Sequence, residues 1–139
     1  PEVDFQTIPE GSTFASVATR TLAYWLQGGI KPEECVVIVL GGEYSINEVD
    51  GQSVSGKAKM RRWAESMQNS DQEGTINIVT PESYQGLEAL CAIVGPCDDN
   101  ERESDGTLYV ALSRAVGHLV IVGTDAGLAK LARLGRSAK

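Results

Sequence analysis

The sequence is poor in the side chains that bind transition metals or build disulfide frameworks. It contains one histidine and three cysteines among 139 residues. A structural zinc site needs four such ligands at close spacing, and an odd number of cysteines leaves one thiol outside any set of disulfides. We therefore expect no metal site and a reduced, cytoplasmic setting, in which Cys35 and Cys91 act as small buried hydrophobic residues.

Long apolar runs and positive charge are also scarce. No apolar run approaches the roughly 20 residues of a membrane-spanning helix, and the first residues lack the basic start and apolar stretch of a signal peptide. We expect no membrane partner. The 12 Lys and Arg residues against 19 Asp and Glu give a net charge of −7, which disfavours a free-standing protein that binds the phosphate backbone. Any role with nucleic acid must therefore be local or shared with another domain.

What remains is the composition of one globular domain. Hydrophobic residues make up 42% and charged residues 22%, with 15 glycines and 5 prolines. A chain of this length can bury a single sizeable core, so residues 1–139 are predicted to form one domain. Because the sequence does not begin with Met, we expect it to be a piece of a longer protein.

Hydrophobic periodicity alternates between the strand and helix patterns along the chain. It predicts strands near 3–8, 35–40, 75–80, 90–94 and 118–122, and helices near 14–25, 60–67, 108–115 and 128–134. Ser12 or Thr13 is expected to cap the first helix, Gly28-Gly29 to end it at positive φ, and Asp125 to cap the last helix. The order β-α-β-α-β-β-α-β-α predicts an α/β fold with a mainly parallel sheet and helices on both faces.

Two stretches lack a sustained period and are predicted to be loops, residues 41–56 and the acidic residues 95–106. Four cations are expected around the helix at 60–67, where they either contact phosphates or form a solvated face: Lys57, Lys59, Arg61 and Arg62. Trp25 and Trp63 are predicted to pack in the core. Tyr84 is the better candidate for stacking on a base, although it can also simply pack.

The first segment that can carry chemistry follows the strand at 75–80. It reads Thr80-Pro-Glu-Ser-Tyr-Gln-Gly-Leu-Glu88, at the carboxyl edge where open α/β sheets bind ligands. Gly86 lets the backbone approach a ligand closely, Glu88 can accept hydrogen bonds from ribose hydroxyls, and Gln85 can donate to a phosphate. The alternative is a surface turn with a glycine at positive φ.

The second segment is the helix predicted at 108–115, which reads Leu-Tyr-Val-Ala-Leu-Ser-Arg-Ala. Its one arginine, Arg114, lies among apolar and small residues. A guanidinium stays ionised and can bind phosphate oxygens in a bidentate manner. The alternative is an arginine that only extends its charge to water from a packed helix.

Together the two segments resemble motifs V and VI of superfamily-one helicases of the UvrD/Rep and Upf types. Members of that family carry a stretch similar to Gln-Gly-x-Glu after a strand, here residues 85–88. They then carry a helix similar to Tyr-Val-Ala-Leu-Thr-Arg-Ala, here residues 109–115, and a closing strand similar to 119–123. The resemblance is specific over residues 75–124 and only architectural before them.

The resemblance implies a RecA-like (P-loop NTPase-type) second motor domain, the C-terminal one of an ATP-dependent DNA or RNA helicase, such as those of DNA repair. The N-terminal RecA-like domain would complete the ATP and Mg²⁺ site, and single-stranded nucleic acid, expected to be DNA, would be shared between the two. Arg114 is implied to be the arginine finger on the γ-phosphate. Three residues are implied to face the nucleotide: Gln85, Gly86 and Glu88. Four are implied to lie toward the single-stranded nucleic acid: Thr80, Glu82, Ser83 and Tyr84.

The sequence lacks the parts that would let it act alone. It has no Gly-x-x-x-x-Gly-Lys-Ser/Thr loop and no acidic metal-binding strand end, so it cannot hold the β-phosphate and magnesium. We therefore expect the 139-residue chain to be inactive in ATP hydrolysis by itself.

Departures from the family pattern leave a second hypothesis open. Glu82 replaces a usual His or Asp, Ala89 replaces a usual aromatic residue, Val116 replaces a usual Lys or Arg, and the arginine-bearing motif IV is not recognisable. The departures at Ala89 and Val116, with the acidic balance, motivate the hypothesis of a degenerate helicase-like domain that serves as a non-catalytic interaction or regulatory module. A third hypothesis is an unrelated doubly wound enzyme that uses the same sheet edge.

Overall fold

The computed structural model of the chain describes residues 2–40, 42–62, 74–81, 89–97 and 117–129. The strands are β1 (Glu2–Thr7), β2 (Cys35–Val39), β3 (Ser53–Val54), β4 (Ala58–Arg62), β5 (Thr75–Val79), β6 (Cys91–Cys97) and β7 (His118–Gly123). The helices are α1 (Phe14–Gln27), α2 (Gly42–Val49) and α3 (125–129), with a 3-10 turn at Pro32–Glu34.

The strands form one seven-stranded sheet in the order β1-β7-β6-β2-β5-β4-β3. Every neighbouring pair is parallel except β3 and β4, which are antiparallel. Parallel neighbours require crossover connections, because a chain that leaves one edge of the sheet must return to the other before it pairs. The coarse prediction, an α/β fold with a mainly parallel sheet, is confirmed.

The central strand β2 is buried on both of its faces. All five of its residues are buried, and alternate side chains enter two separate hydrophobic clusters. Val37 lies in the first cluster, on the face that α1 and α2 cover, whereas Ile38 lies in the second, where Leu128 of α3 packs. The continuous β-branched run at 35–40 is typical of such a doubly covered strand, and its prediction is confirmed.

Helix α1 forms as its sequence predicts. The Thr13 hydroxyl oxygen accepts a hydrogen bond from the Ser16 backbone N–H at 3.1 Å, which satisfies one of the free amides of the first turn. The apolar face packs on the sheet, with Trp25 only 4% exposed. At the far end Gly28 has an ordinary φ of −82°, and Gly29 alone of the glycine pair takes a positive φ, 99°.

The loop predicted at 41–56 is wrong. Residues 42–49 form α2, which follows β2 almost directly, and residues 53–54 form the short strand β3. The helix starts at Gly42, whose φ of 74° suits glycine, and it buries Ile46 and Val49 on one side. Two apolar residues three positions apart define that side, and they are too few to establish a helical period in the sequence.

The helix predicted at 60–67 is also wrong over the part that the structure describes. Residues 58–62 form strand β4, in which buried Ala58 and Met60 alternate with exposed Lys59 and Arg61. Pairing with β5 fixes this two-residue period. Lys59, Arg61 and Arg62 therefore lie on a sheet rather than around a helix, and Lys57 lies in the turn before β4. Residues 63–67, which include Trp63, lie outside the described residues.

Two smaller expectations are corrected near the carboxyl edge. Strand β6 continues to Cys97, so it includes residues assigned to the acidic loop at 95–106. Without a Cβ, Gly95 fits against the Val122 carbonyl, which allows β6 to continue. The cap of α3 is Thr124, whose hydroxyl accepts from the Gly127 N–H at 3.0 Å. Asp125 instead accepts a hydrogen bond from the Thr7 hydroxyl at 2.9 Å.

None of the helices in the described ranges has both the length and the apolar character needed to cross a bilayer.

Gly123 is expected to be intolerant of a side chain. A Cβ at this position would overlap the Cys97 carbonyl and lie 2.8 Å from the Cys97 Cβ, so the β6–β7 pairing would have to shift. Gly123→Ala should lower the free energy of unfolding by about 2 kcal/mol, measured by urea denaturation. The matched control is Gly28→Ala, because a Cβ there would approach nothing closer than 3.4 Å. Equal stability of the two variants would contradict the packing described for β6 and β7.

Candidate functional site at the carboxyl edge of the sheet

The parallel strands all end on one edge of the sheet, the carboxyl edge, where open α/β sheets bind ligands. The described residues that directly follow a strand there are Ile8, Leu40, Thr80 and Thr124, after β1, β2, β5 and β7 respectively. Arg62 ends β4 on the same edge. Because β5 lies between β2 and β4, Thr80 occupies an interior position on this edge.

Of the sequence-predicted site residues, Thr80 is the one that the structure describes. It is half-buried and follows β5 directly. The others lie in 82–88 and 98–116, outside the described residues: Glu82, Ser83, Tyr84, Gln85, Gly86, Glu88 and Arg114. Their mutual distances and their places around a nucleotide therefore stay predictions from the sequence.

The described chain that follows each of these two segments meets at Leu90. The Leu90 carbonyl accepts hydrogen bonds from the Gly117 and His118 backbone N–H groups, each at 3.0 Å. The Leu90 N–H donates to the Glu34 carbonyl at 2.9 Å. We call this set of backbone contacts the Leu90 junction. It joins the start of β6, which follows the segment 80–88, to the start of β7, which follows the segment 109–115.

Gly117 permits the close approach at this junction. A Cβ on Gly117 would lie 3.2 Å from both the Leu90 carbonyl oxygen and the Leu90 Cδ1, tighter than ordinary van der Waals contact. The described residues that follow the two segments resembling helicase motifs therefore meet at the amino edge of the sheet. They continue into neighbouring strands, since β6 and β7 pair over most of their length.

A side-chain cluster not predicted from the sequence lies where β4 ends. The Arg62 guanidinium donates to both carboxylate oxygens of Glu43, at 3.1 and 2.6 Å, and to the Asn47 side-chain oxygen at 3.1 Å. The Arg62 backbone N–H donates to the Asp50 carboxylate at 3.0 Å. These contacts fasten the end of β4 to α2, and we call them the Arg62 clasp.

The clasp determines what Arg62 can do chemically. The hydrogen bonds that the guanidinium donates to Glu43 raise its pKa above the ordinary value, so Arg62 stays charged. Both side chains are largely solvated, 42% and 72% exposed, so the pair adds little to stability. Because both terminal nitrogens of the Arg62 guanidinium already bind a carboxylate, Arg62 is not available to bind a phosphate while the clasp is closed.

His118, to which the sequence assigns no chemistry, has a structural setting. Its Nε2 lies 2.8 Å from an Asp4 carboxylate oxygen, and its ring lies 5.4 Å from the Trp25 ring, centre to centre. Asp4 is on β1 and His118 is on β7, so the contact ties neighbouring strands together under α1. Within the described ranges, no group of three or more His, Cys, Asp or Glu side chains is placed to hold a metal ion.

Comparison of the chain with protein-family models and with curated proteins found no match in either set.

The three cysteines are free and buried, as small apolar residues would be. Cys35 and Cys91 lie opposite each other on β2 and β6. Burial raises the pKa of the Cys35 thiol to about 12, with Cys91 adding to the effect, and burial likewise raises the pKa of Cys91. Since the thiolate is the reactive form, neither residue is suited to nucleophilic chemistry at neutral pH.

Native-state thiol labelling tests this assignment. With the pKa of Cys35 at about 12 rather than 9.0, its thiolate fraction near pH 8 is lower by about a thousandfold. Iodoacetamide should therefore modify Cys35 and Cys91 only after unfolding in urea, as read by mass spectrometry, and a Cys35→Ser variant identifies the Cys35 product. Rapid labelling of the folded protein would contradict the assignment.

The same shift predicts a pH dependence of stability. Because the folded protein favours the protonated thiol of Cys35, its stabilising contribution is complete below pH 9.0 and is lost as the pH rises toward about 12. Urea denaturation between these limits should show a steeper loss of stability in the parent protein than in a Cys35→Ala variant, which has no thiol to ionise. Parallel pH profiles would argue against the shift.

Proposed function

We propose that the chain is the second RecA-like motor domain of a superfamily-one, ATP-dependent helicase. In this proposal it contributes one wall of an ATP site that lies between two domains, and a share of the contacts to single-stranded DNA. The observation that carries the proposal is the Leu90 junction, because the chain that follows each motif-bearing segment begins a strand there, and the two strands are neighbours in one parallel sheet.

The first motif is supported by its position after β5. The segment 80–88 begins at the carboxyl edge of an interior strand, and the described Thr80 is its first residue. A glycine at 86 would allow the backbone to approach a nucleotide, and Glu88 would accept hydrogen bonds from the ribose hydroxyls. Gln85 would donate to a phosphate. The side facing the single-stranded DNA would include Glu82, Ser83 and Tyr84.

The second motif is supported by its position before β7. Residues 109–115 end two positions before Gly117, which is bonded to Leu90. In this proposal Arg114 stabilises the charge that spreads over the γ-phosphoryl oxygens during transfer. Bound ATP and Mg²⁺ supply the phosphoryl group and its counter-charge. The proposal assigns the ligands of the β-phosphate and magnesium to the preceding domain, since the sequence has no phosphate loop.

A non-catalytic, helicase-like module is the second candidate, and Ala89 favours it. Ala89 stands where related helicases usually carry an aromatic residue, and it packs against the second hydrophobic cluster. A methyl group held against the core offers no ring on which a base could stack. Weaker contacts to the nucleic-acid strand at this position would be expected in a domain that has kept the fold but no longer moves along nucleic acid.

Replacement of Arg114 tests the motor proposal. In the intact protein, Arg114→Ala should lower nucleic-acid-stimulated ATP hydrolysis by about a thousandfold or more, as loss of an arginine finger does. Steady-state phosphate release measures the rate. The matched control is Arg20→Ala, which removes the same charge from an exposed position on α1 and should leave the rate unchanged.

The outcomes separate the three hypotheses. Near-parental turnover by Arg114→Ala would remove the finger assignment. An intact parent that binds its partners and hydrolyses no ATP would favour the interaction module. Turnover of a small ligand by the 139-residue chain alone would favour an unrelated doubly wound enzyme.

A further inference from the structure

Strand β4 sorts its cations onto opposite faces of the sheet. Side chains alternate along a strand, so Arg62 shares a face with buried Met60 and Ala58, toward α2. Lys59 and Arg61 lie on the other face and are exposed. The sequence places these cations next to one another, whereas the fold puts Arg62 on one face of the sheet and Lys59 and Arg61 on the other.

The pairing differs sharply between the two faces. Arg62 is bound by Glu43 and Asn47 in the Arg62 clasp. Throughout the part of the chain that the structure describes, the side chains of Lys59 and Arg61 have neither an ion pair nor a hydrogen bond. An acidic protein with a net charge of −7 thus keeps two neighbouring cations unneutralised on one face.

The residues beside these two cations are polar and uncharged. Register pairs Lys59 with Ser53 on β3 and with Thr75 on β5, and it pairs Arg61 with Asn77 on β5. Paired residues of neighbouring strands point to the same face. We call these five residues the β4 stripe.

Asn77, on the same face as Lys59 and Arg61, has one unsatisfied acceptor atom. Its side-chain oxygen is buried and has no hydrogen-bond partner among the described residues. Buried polar atoms in folded proteins nearly always have a partner, from the protein, water or a ligand. A carboxamide oxygen accepts hydrogen bonds, as phosphate oxygens do, so this atom does not itself contact a phosphate, and only the Asn77 amide nitrogen can donate to one.

We infer that the β4 stripe binds the phosphate backbone of single-stranded nucleic acid, an inference that rests on the proposed function. Lys59 and Arg61 are two residues apart on one strand, about 6.6 Å, and so present a row of positive charge to a chain that carries one negative charge per nucleotide. Ser53 and Thr75 add hydroxyl donors on either side of the row. The stripe has no apolar side chain for an apolar partner, which leaves a polyanion as its complement.

Loss of the two cations should weaken binding in a salt-dependent way. In the intact protein, the double substitution Lys59→Ala with Arg61→Ala should raise the Kd for a single-stranded oligonucleotide about tenfold near 0.1 M salt. The slope of log K against log salt should become shallower by about 1.4, since each phosphate contact to a single strand contributes about 0.7. Fluorescence anisotropy over a salt series measures both.

The control keeps the same change in net charge elsewhere. Arg20→Ala with Lys31→Ala also removes one arginine and one lysine from exposed positions, on α1 and before the 3-10 turn. We expect this pair to leave the salt slope unchanged. Thr75→Glu should act like the double substitution, because it places a carboxylate opposite Lys59 on the same face. Thermal unfolding checks that the variants are folded.

The outcomes distinguish the stripe from the motor proposal. If the parent protein binds the single-stranded oligonucleotide and the stripe variants match the Arg20/Lys31 control in affinity and in salt slope, the inference about the β4 stripe is overturned. The proposed function then stands. If the stripe variants lose binding to polyglutamate while their binding to the single-stranded oligonucleotide is unchanged, the stripe binds an acidic polypeptide and the inference is overturned. If the parent protein does not bind the single-stranded oligonucleotide, both the proposed function and the inference about the β4 stripe are overturned. A loss confined to the stripe variants, with the shallower slope, supports the inference.

Discussion

Double burial of the central strand is the constraint on which the rest of the structure depends. A strand whose five residues are all buried needs cover on each face, and neighbours on both sides to satisfy its backbone. In this protein β6 and β5 provide the neighbours, and the alternation of side chains divides the interior into two clusters. The parallel direction follows from the crossovers that this cover requires, and it brings the strand ends to a common edge.

The same alternation governs the surface chemistry at β4. Its register with β5 decides which cations meet α2 and which meet solvent. A slip of one residue would exchange the two sets, burying Lys59 and exposing Met60. The hydrophobic side chains that fix the register of β4 therefore also fix which of its cations are exposed. The Arg62 clasp reinforces this register at the end of the strand.

Sequence reasoning succeeded where a segment's own pattern outweighs its surroundings. The continuous run of β2 and the capped, amphipathic α1 are determined locally and could be predicted. Strand β4 could not, because Met60, Trp63, Ala64 and Met67 also fit a helical spacing and only pairing with β5 selects the strand. The Arg62 clasp could not be predicted either, since it joins residues 19 positions apart across an element read as a loop. Of the motif residues, Thr80 alone has a described place, at the edge where the strand pattern predicts it.

The Leu90 junction also limits how the chain can vary in length. One carbonyl accepts two backbone donors from residues far along the sequence, and a side chain at Gly117 would crowd Leu90. An insertion at the amino edge, next to Leu90 or Gly117, would break these bonds, and strand β7 would lose its starting register. Changes in chain length are therefore expected to be costly where β6 and β7 begin, although the segments that connect strands usually tolerate them.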